Sequence, residues 1–238
     1  MPKELPANFQ PENESIKIWR YIDFTKFVSL LVSKSLYFAR AKHFEDNFEG
    51  AMPKSFFENI PDTPFTKILS EIRELSKSDV AINCWHANDF ESVAMWKIYG
   101  EKGIAIQSTY ERLKSSITNE RTVFFGAVQY INYEDDIFVE ADNLLLPFFY
   151  KRNYFSYEQE IRAVVVDIPN LDMDSEKDPY ENLGHGFNIK TDIQTLVEKI
   201  YISPDLPDWF FDLVQSVSKK YGYDFDVVHS RLKDEPLF

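Results

Sequence analysis

The chain has 238 residues, 44% of them hydrophobic and 16% aromatic, which excludes an intrinsically disordered protein and suffices for a sizeable core. Twenty-six basic against 39 acidic residues leave a formal net charge of −13, which repels phosphate backbones at long range and argues against non-specific nucleic-acid binding. Cys84 is the sole cysteine, so an intramolecular disulfide is excluded and a reducing, cytoplasmic setting is expected.

A polar lead-in over residues 1–15 and a single domain over 16–238 are expected, because no repeat, low-complexity tract or Gly/Ser-rich linker divides the chain. The lead-in carries prolines and glutamates where a signal peptide needs a basic start and an apolar core. The apolar runs at 27–32 and 144–150 are too short to span a bilayer, so no membrane is expected.

Residues 16–23 alternate, with Ile16, Ile18, Arg20 and Ile22 on one face, which predicts a strand. Asp23 then caps a helix in which Phe24, Phe27, Val28 and Leu31 recur at helical spacing. A second strand is expected over 35–40 (SLYFAR) and a loop over 43–50. Thr63 and Pro64 open a helix carrying Ile68, Leu69, Ile72 and Leu75. Strands follow at 80–86 and 103–108, separated by a short helix over 91–99 and a turn flanked by Gly100 and Gly103. Ser108 and Glu111 form a capping-box pattern before the next helix. One strand over 122–133, a helical stretch around 142–152 and a strand after Glu160 are expected next, then an irregular span over 169–187. The C-terminal part predicts a strand at 199–203, an amphipathic helix from Pro207 to Tyr221 and a closing strand at 225–232. Strands and helices interleave without a βαβ rhythm, which predicts an α+β fold: a mixed or mainly antiparallel sheet with flanking helices in one compact domain.

The segment YKRNYFSYEQEIRAVVVDI (150–168) carries the strongest candidate chemistry. Glu158 and Glu160 stand two apart where a β-prone run begins, so an extended backbone projects both carboxylates from one face. Carboxylates so placed stabilise positive charge on a sugar carbon and orient a nucleophile. The competing reading is a charged strand edge whose glutamates pair with Lys151, Arg152 or Arg162. Arg20, on the apolar face of its strand, needs an anionic partner, either a structural carboxylate or a ligand phosphate. Tyr37 is suited to stacking on a flat heterocycle or to the core. Cys84 with His86 lacks the further ligands zinc needs. His43, Glu45, Asp46 and Glu49 gather metal-type ligands in one loop, but a turn in which Asp46 and Asn47 bond their own backbone accounts for them, so no metal is expected. No GxGxxG or GxxxxGK[ST] motif is present, which argues against a dinucleotide fold or a P-loop enzyme.

Four segments, IWRYIDFTKFVSLLVSKSLYFARAKHFEDNFEG, CWHANDFESVAMWKIYG, YKRNYFSYEQEIRAVV and IYISPDLPDWFFDLV, together resemble a widespread bacterial and phage family catalogued as a domain of unknown function. More distantly, Arg20 in IWRY, Tyr37 in LYFA and Glu160 in YEQE are similar, in order, to the NAD⁺-binding pattern of ADP-ribosyltransferases. That resemblance implies NAD⁺ as substrate, Glu160 and Glu158 as catalytic residues and Arg20 and Tyr37 as NAD⁺-binding residues. LYFA is similar to one branch of that family and the paired glutamates to another, and the family's Ser-Thr-Ser element has no counterpart here. Two main readings follow. One is an ADP-ribosyltransferase-like enzyme or NAD⁺ glycohydrolase acting with an unknown acceptor. The other is a non-catalytic protein- or ligand-binding module, with a metal-dependent hydrolase or nuclease as a third.

Overall fold

A computed structural model describes residues 2–58, 76–100, 102–136, 143, 145–169 and 183–236. Its strands are β1 (Pro2–Glu4), β2 (Lys17–Asp23), β3 (Ser35–Arg40), β4 (Val80–Ala87), β5 (Gly103–Thr109) and β6 (Val123–Ala127). They continue with β7 (Gln129–Ile131), β8 (Tyr150–Arg152), β9 (Glu160–Val166), β10 (Gly186–Lys190), β11 (Lys199–Ile202) and β12 (Val227–His229). The helices are α1 (Phe24–Ser33), α2 (Lys54–Glu58), α3 (Val93–Met95), α4 (Tyr110–Ser116), α5 (Ile193–Leu196) and α6 (Asp208–Lys220). The fold is α+β, with a mixed sheet ordered β1-β6-β9-β4-β2-β5-β11-β12 that is antiparallel except where β1 meets β6 and β11 meets β12. A separate parallel pair, β7-β8, stands beside it.

The sheet forks at β4. One edge of β4 is paired with β9 from Val80 to His86. The other edge is shared: β3 pairs at Ala81 and Ile82 and continues to β10, while β2 pairs at His86 and Ala87 and continues to β5. Side chains satisfy the backbone where the two branches part. Asn83 Nδ2 donates to the Tyr37 carbonyl at 2.8 Å, and Arg20 Nη1 donates to the Cys84 carbonyl at 3.0 Å. Trp85 Nε1 in turn donates to Asn83 Oδ1 at 2.7 Å, which fixes the amide that spans the notch.

The main core covers one face of the sheet. Ile18 and Ile22 of β2, Trp85 of β4, Ile161 of β9 and Ile104 and Ile106 of β5 pack there against Leu31 of α1, Leu113 of α4 and Val214 of α6. The opposite face carries two smaller apolar clusters, one around Phe148, Phe149 and Val164 and one around Trp19, Tyr21 and Trp96. Between them this face presents His86, Glu160 and Arg162, which strand alternation keeps on the side away from the main core.

Most elements fall where hydrophobic periodicity puts them, and the departures have local causes. Asp23 caps α1 as expected, accepting from Lys26 N at 2.8 Å. Burial pushes the Asp23 carboxyl up, but hydrogen bonds from Thr25 and Lys26 outweigh it and hold the pKa at about 2. Replacing Asp23 by Ala is expected to cost about 1 kcal/mol near neutral pH. A depressed carboxylate stabilises above its unfolded pKa and loses that contribution as pH falls through its folded one, so thermal unfolding of parent and variant should converge near pH 2. Ser108 does not cap α4: its backbone pairs with Ile18 inside the β2–β5 ladder and its hydroxyl donates to the Leu196 carbonyl at 2.6 Å. Thr109 at the strand end takes the cap, accepting from Arg112 N.

The expected strand over 122–133 is two strands in different sheets. Val128 N donates to the Glu160 carbonyl, where β9 begins, and the chain beyond pairs with β8. The stretch around 142–152 is, in its described part, a 3₁₀ turn with Pro147 in its first turn and then β8, which the pairing with β7 holds extended. The lead-in is partly structured, with β1 beside β6 and Phe9 fully buried. The end of the span 169–187, expected to be irregular, starts a strand: Gly186–Lys190 form β10 against β3, and the closing strand is confined to Val227–His229. The helix expected after Thr63 lies outside the described residues, as do 170–182.

Candidate functional site

The two glutamates meet, but not by strand alternation. Residues Asn153–Glu158 form a 3₁₀ turn, Gln159 adopts the left-handed region at φ 40° and ψ 55°, and β9 starts only at Glu160. A non-glycine residue in that region is strained, and here the strain sits between the two acids. The turn folds Glu158 back over Lys151, which leaves β8 toward the same point. Lys151 Nζ bonds Glu158 Oε2 and, at 2.5 Å, Glu160 Oε1.

Arg162 completes the cluster. Its Nε donates to Glu160 Oε2 at 2.7 Å, and its two Nη atoms donate to the oxygens of Glu49 at 2.5 and 3.0 Å. Nη1 also reaches the Phe148 carbonyl at 2.6 Å. Arg162 is fully buried, and Glu49, Glu158, Glu160 and Lys151 are nearly so. Tyr130, opposite Lys151 in the β7–β8 pair, accepts from Glu160 N at 2.9 Å and fixes the start of β9.

One side of the cluster faces outward. Trp96–Gly100 form a π turn, in which Gly100 packs on the Trp96 ring so closely that a Cβ would lie 2.5 Å from Cε3. Glu91 Oε2 accepts from Trp96 Nε1 at 3.0 Å and anchors the turn. The turn delivers Tyr99, whose hydroxyl donates to Glu158 Oε1 at 3.2 Å. Tyr157 stands beside Glu158 in the 3₁₀ turn, and both tyrosines are about half exposed, at 48% and 47%. Glu158, itself only 4% exposed, is therefore separated from solvent by these two half-exposed phenols, which form the mouth of the cluster. π turns recur at functional sites because the widened turn re-aims a side chain.

The electrostatics separate the two acids. Burial raises the Glu158 carboxyl, and its hydrogen bond to Glu160 and the charge there raise it further, so that despite Lys151 its pKa is pushed up to about 7. Burial opposes ionisation of Glu160 as well, but Arg162, the hydrogen bond from Glu158 and Lys151 hold its carboxyl well below the usual carboxylate range. Burial likewise lifts Glu49 against the pull of Arg162. Behind the turn, His86 Nδ1 lies 2.6 Å from the Glu158 carbonyl, so this nitrogen carries the hydrogen. Its Nε2 is buried with no hydrogen-bond partner among the described residues, and burial depresses the imidazole pKa.

The four residues expected from the sequence do not form one constellation. Glu158 and Glu160 share Lys151. Trp19, His86 and Glu160 lie in one register row, so Arg20, next to Trp19, points from the opposite face. There Arg20 lies over Trp85, and among the described residues it has no carboxylate in ion-pair range; burial lowers its pKa to about 10. The anionic partner expected for it is replaced by the Cys84 carbonyl at the fork. Tyr37 shares the face of Glu160 but stands on the β3 branch, beyond Cys84, with its ring 45% exposed and packed over Gly186.

In the loop 43–50, two of the four candidate ligands are engaged in ion pairs. Asp46 accepts from Phe48 N at 3.0 Å and pairs with Arg152 at 2.7 Å, while Glu49 serves Arg162. No group of three metal-ligating side chains occurs among the described residues, and no helix there is long and apolar enough to cross a membrane. A polar cavity of about 320 Å³ beside this loop is lined by Lys42, Asp46, Asn47 and Ser78, with Glu49 in its wall. Lys151 and Arg162 were legible as ion-pair partners from their place in the segment. Tyr99 left no signal in the sequence, because its position depends on the π turn. No family model, curated protein or solved structure matches the chain.

Proposed function

We propose that the Glu158 mouth is an acid–base centre for cleaving a glycosidic bond, with NAD⁺ as the substrate that the likeness to ADP-ribosyltransferases points to. The observation that carries this reading is the unequal pairing of two adjoining carboxyls: Glu160 takes Arg162 Nε and Lys151, whereas Glu158 has only the shared Lys151 and the Tyr99 hydroxyl, so burial raises the Glu158 carboxyl while Arg162 and Lys151 depress that of Glu160. Pairs pushed apart in this way divide the roles of acid and base. Glu158, at the base of the tyrosine mouth, takes the proton of the acceptor as it bonds the anomeric carbon, while nicotinamide leaves with the electron pair of the broken bond and needs no proton. Glu160, held by Arg162 and Lys151, keeps a fixed negative charge behind it, and the oxocarbenium character that builds at the anomeric carbon is stabilised there. Tyr37, on the same face, remains available for stacking, whereas Arg20, on the opposite face, does not reach the mouth.

Glu158→Gln is expected to lower nicotinamide release from NAD⁺ about 10²–10⁴-fold with the fold retained. The parent chain should show a pH–rate limb near pH 7. Unchanged turnover in the variant sinks the acid–base role. A second reading, a non-catalytic ligand-binding module, is favoured by the closure of Glu160 and Arg162 into ion pairs and by the separation of Arg20 from them. Saturable NAD⁺ binding in calorimetry without any nicotinamide release would select it.

A further inference from the structure

When all five groups of the cluster are ionised, their charges do not cancel. Glu49, Glu158 and Glu160 supply three negative charges against the two positive charges of Lys151 and Arg162. All three acids are at most 7% exposed, so an uncompensated charge among them is strongly disfavoured. Geometry decides which one gives way. Glu49 takes both Nη atoms of Arg162 in a bidentate pair. Glu160 takes Nε of Arg162 and Nζ of Lys151. Glu158 has only the ammonium it shares with Glu160, together with the hydroxyl of Tyr99.

Resting on the reading of Glu158 as the proton-transfer group, we propose that Glu49 is its positioning residue. By taking both Nη atoms of Arg162 from a loop more than a hundred residues away in the chain, Glu49 leaves Glu160 with Nε alone and a share of Lys151, and obliges Glu158 to hold a proton. The groups facing Glu158 are Lys151 from β8, Glu160 and Arg162 from β9, Tyr130 from β7, Tyr99 from the π turn and Tyr157 from its own turn. Burial keeps the tyrosines neutral, and it keeps the nearby Cys84 thiol neutral as well. His86, which meets the Glu158 carbonyl from β4, is kept neutral by burial too, and Asp46 in the loop of Glu49 is paired with Arg152. Glu49 touches neither Glu158 nor the mouth; it acts through Arg162.

The test follows the carboxyl carbons of labelled glutamate by NMR across pH in the parent chain, Glu49→Gln and Glu49→Asp. In the parent, Glu158 should titrate near pH 7 while Glu49 keeps its carboxylate signal through that range. In Glu49→Gln the Glu158 midpoint should fall by about 1–3 pH units, and Glu49→Asp should restore it. An unchanged midpoint in Glu49→Gln overturns the proposal. So does protonation of Glu49 at or above the Glu158 midpoint in the parent, a measurement that stands even if the variant does not fold. Absence of nicotinamide release together with the expected titration rejects the catalytic reading and supports the charge balance. The two ideas therefore fail separately.

Discussion

Replacement of Arg162 by Ala is expected to destabilise the protein by about 3–5 kcal/mol, because truncating one member of a buried ion network leaves its partners charged and unpaired. The guanidinium is fully buried and spans Glu49, Glu160 and the Phe148 carbonyl. Without it, Lys151 alone faces three carboxylates. The cost belongs to the stranded acids more than to the lost bonds. Replacing Arg162, Glu49 and Glu160 together by Leu should therefore recover much of the loss, while ending any function of the site. Urea denaturation with an unchanged slope reports both effects. A single-variant loss below about 1 kcal/mol would mean that the charges are solvated.

Gly103→Ala is expected to be as damaging for a steric reason. A Cβ there would lie 1.9 Å from the Ile22 carbonyl oxygen and 2.7 Å from Asp23 Cα, both backbone atoms of the paired strand. Neither can rotate away, so β2 must move off β5. That ladder runs from Lys17 opposite Thr109 to Asp23 opposite Gly103, and it holds Trp19 and Arg20 in place. The loss should reach or pass the upper end of the about 1–3 kcal/mol usual for overpacking. Gly222→Ala is the control. Gly222 has φ +88°, but a Cβ added there would meet nothing within 4 Å, so only conformational strain of about 1 kcal/mol is expected. Equal melting temperatures for the two variants would refute the steric account.

Where a segment's structure is set by its own pattern, the sequence is informative. The alternation around Ile18 and Ile22, the cap at Asp23 and the apolar run at 80–86 each need only their neighbours to choose strand or helix. The failures depend on partners distant in the chain. Residues 186–190 have no strong strand pattern and become β10 because β3 offers an edge, with Gly186 leaving room for Tyr37 and for the Phe38 carbonyl. Ser108 and Glu111 have capping-box spacing, yet the β2–β5 ladder extends one residue farther and hands the cap to Thr109.

The site divides in the same way. Glu158 and Glu160 were found from spacing, although the backbone between them is a left-handed turn rather than an extended strand. Their convergence comes from Lys151, not from alternation. Arg20 drew attention as a cation on an apolar face, and that placement holds; its partner is a carbonyl exposed by the fork, which no local pattern encodes. Glu49 stood in the sequence as a metal-type ligand. Only the fold reveals that its partner is a guanidinium.

The fork also distributes local stability along the sheet. Seven register pairs hold β4 to β9, whereas two hold it to β3 and two to β2. Each branch is thus attached to the central strand by a short seam, reinforced across the gap by the side chains of Asn83 and Arg20. Separation along a seam breaks far fewer ladder bonds than parting β4 from β9, so low-energy excursions of this sheet are hinge openings of one branch. The charge cluster lies on the β9 side of β4, clear of the β3 seam, but Glu160 shares a row with His86, where the β2 seam begins. Opening of the β3 branch leaves Glu158 and Glu160 in register, whereas opening of the β2 branch carries the π turn, which packs on Tyr21, and with it the Tyr99 hydroxyl on Glu158.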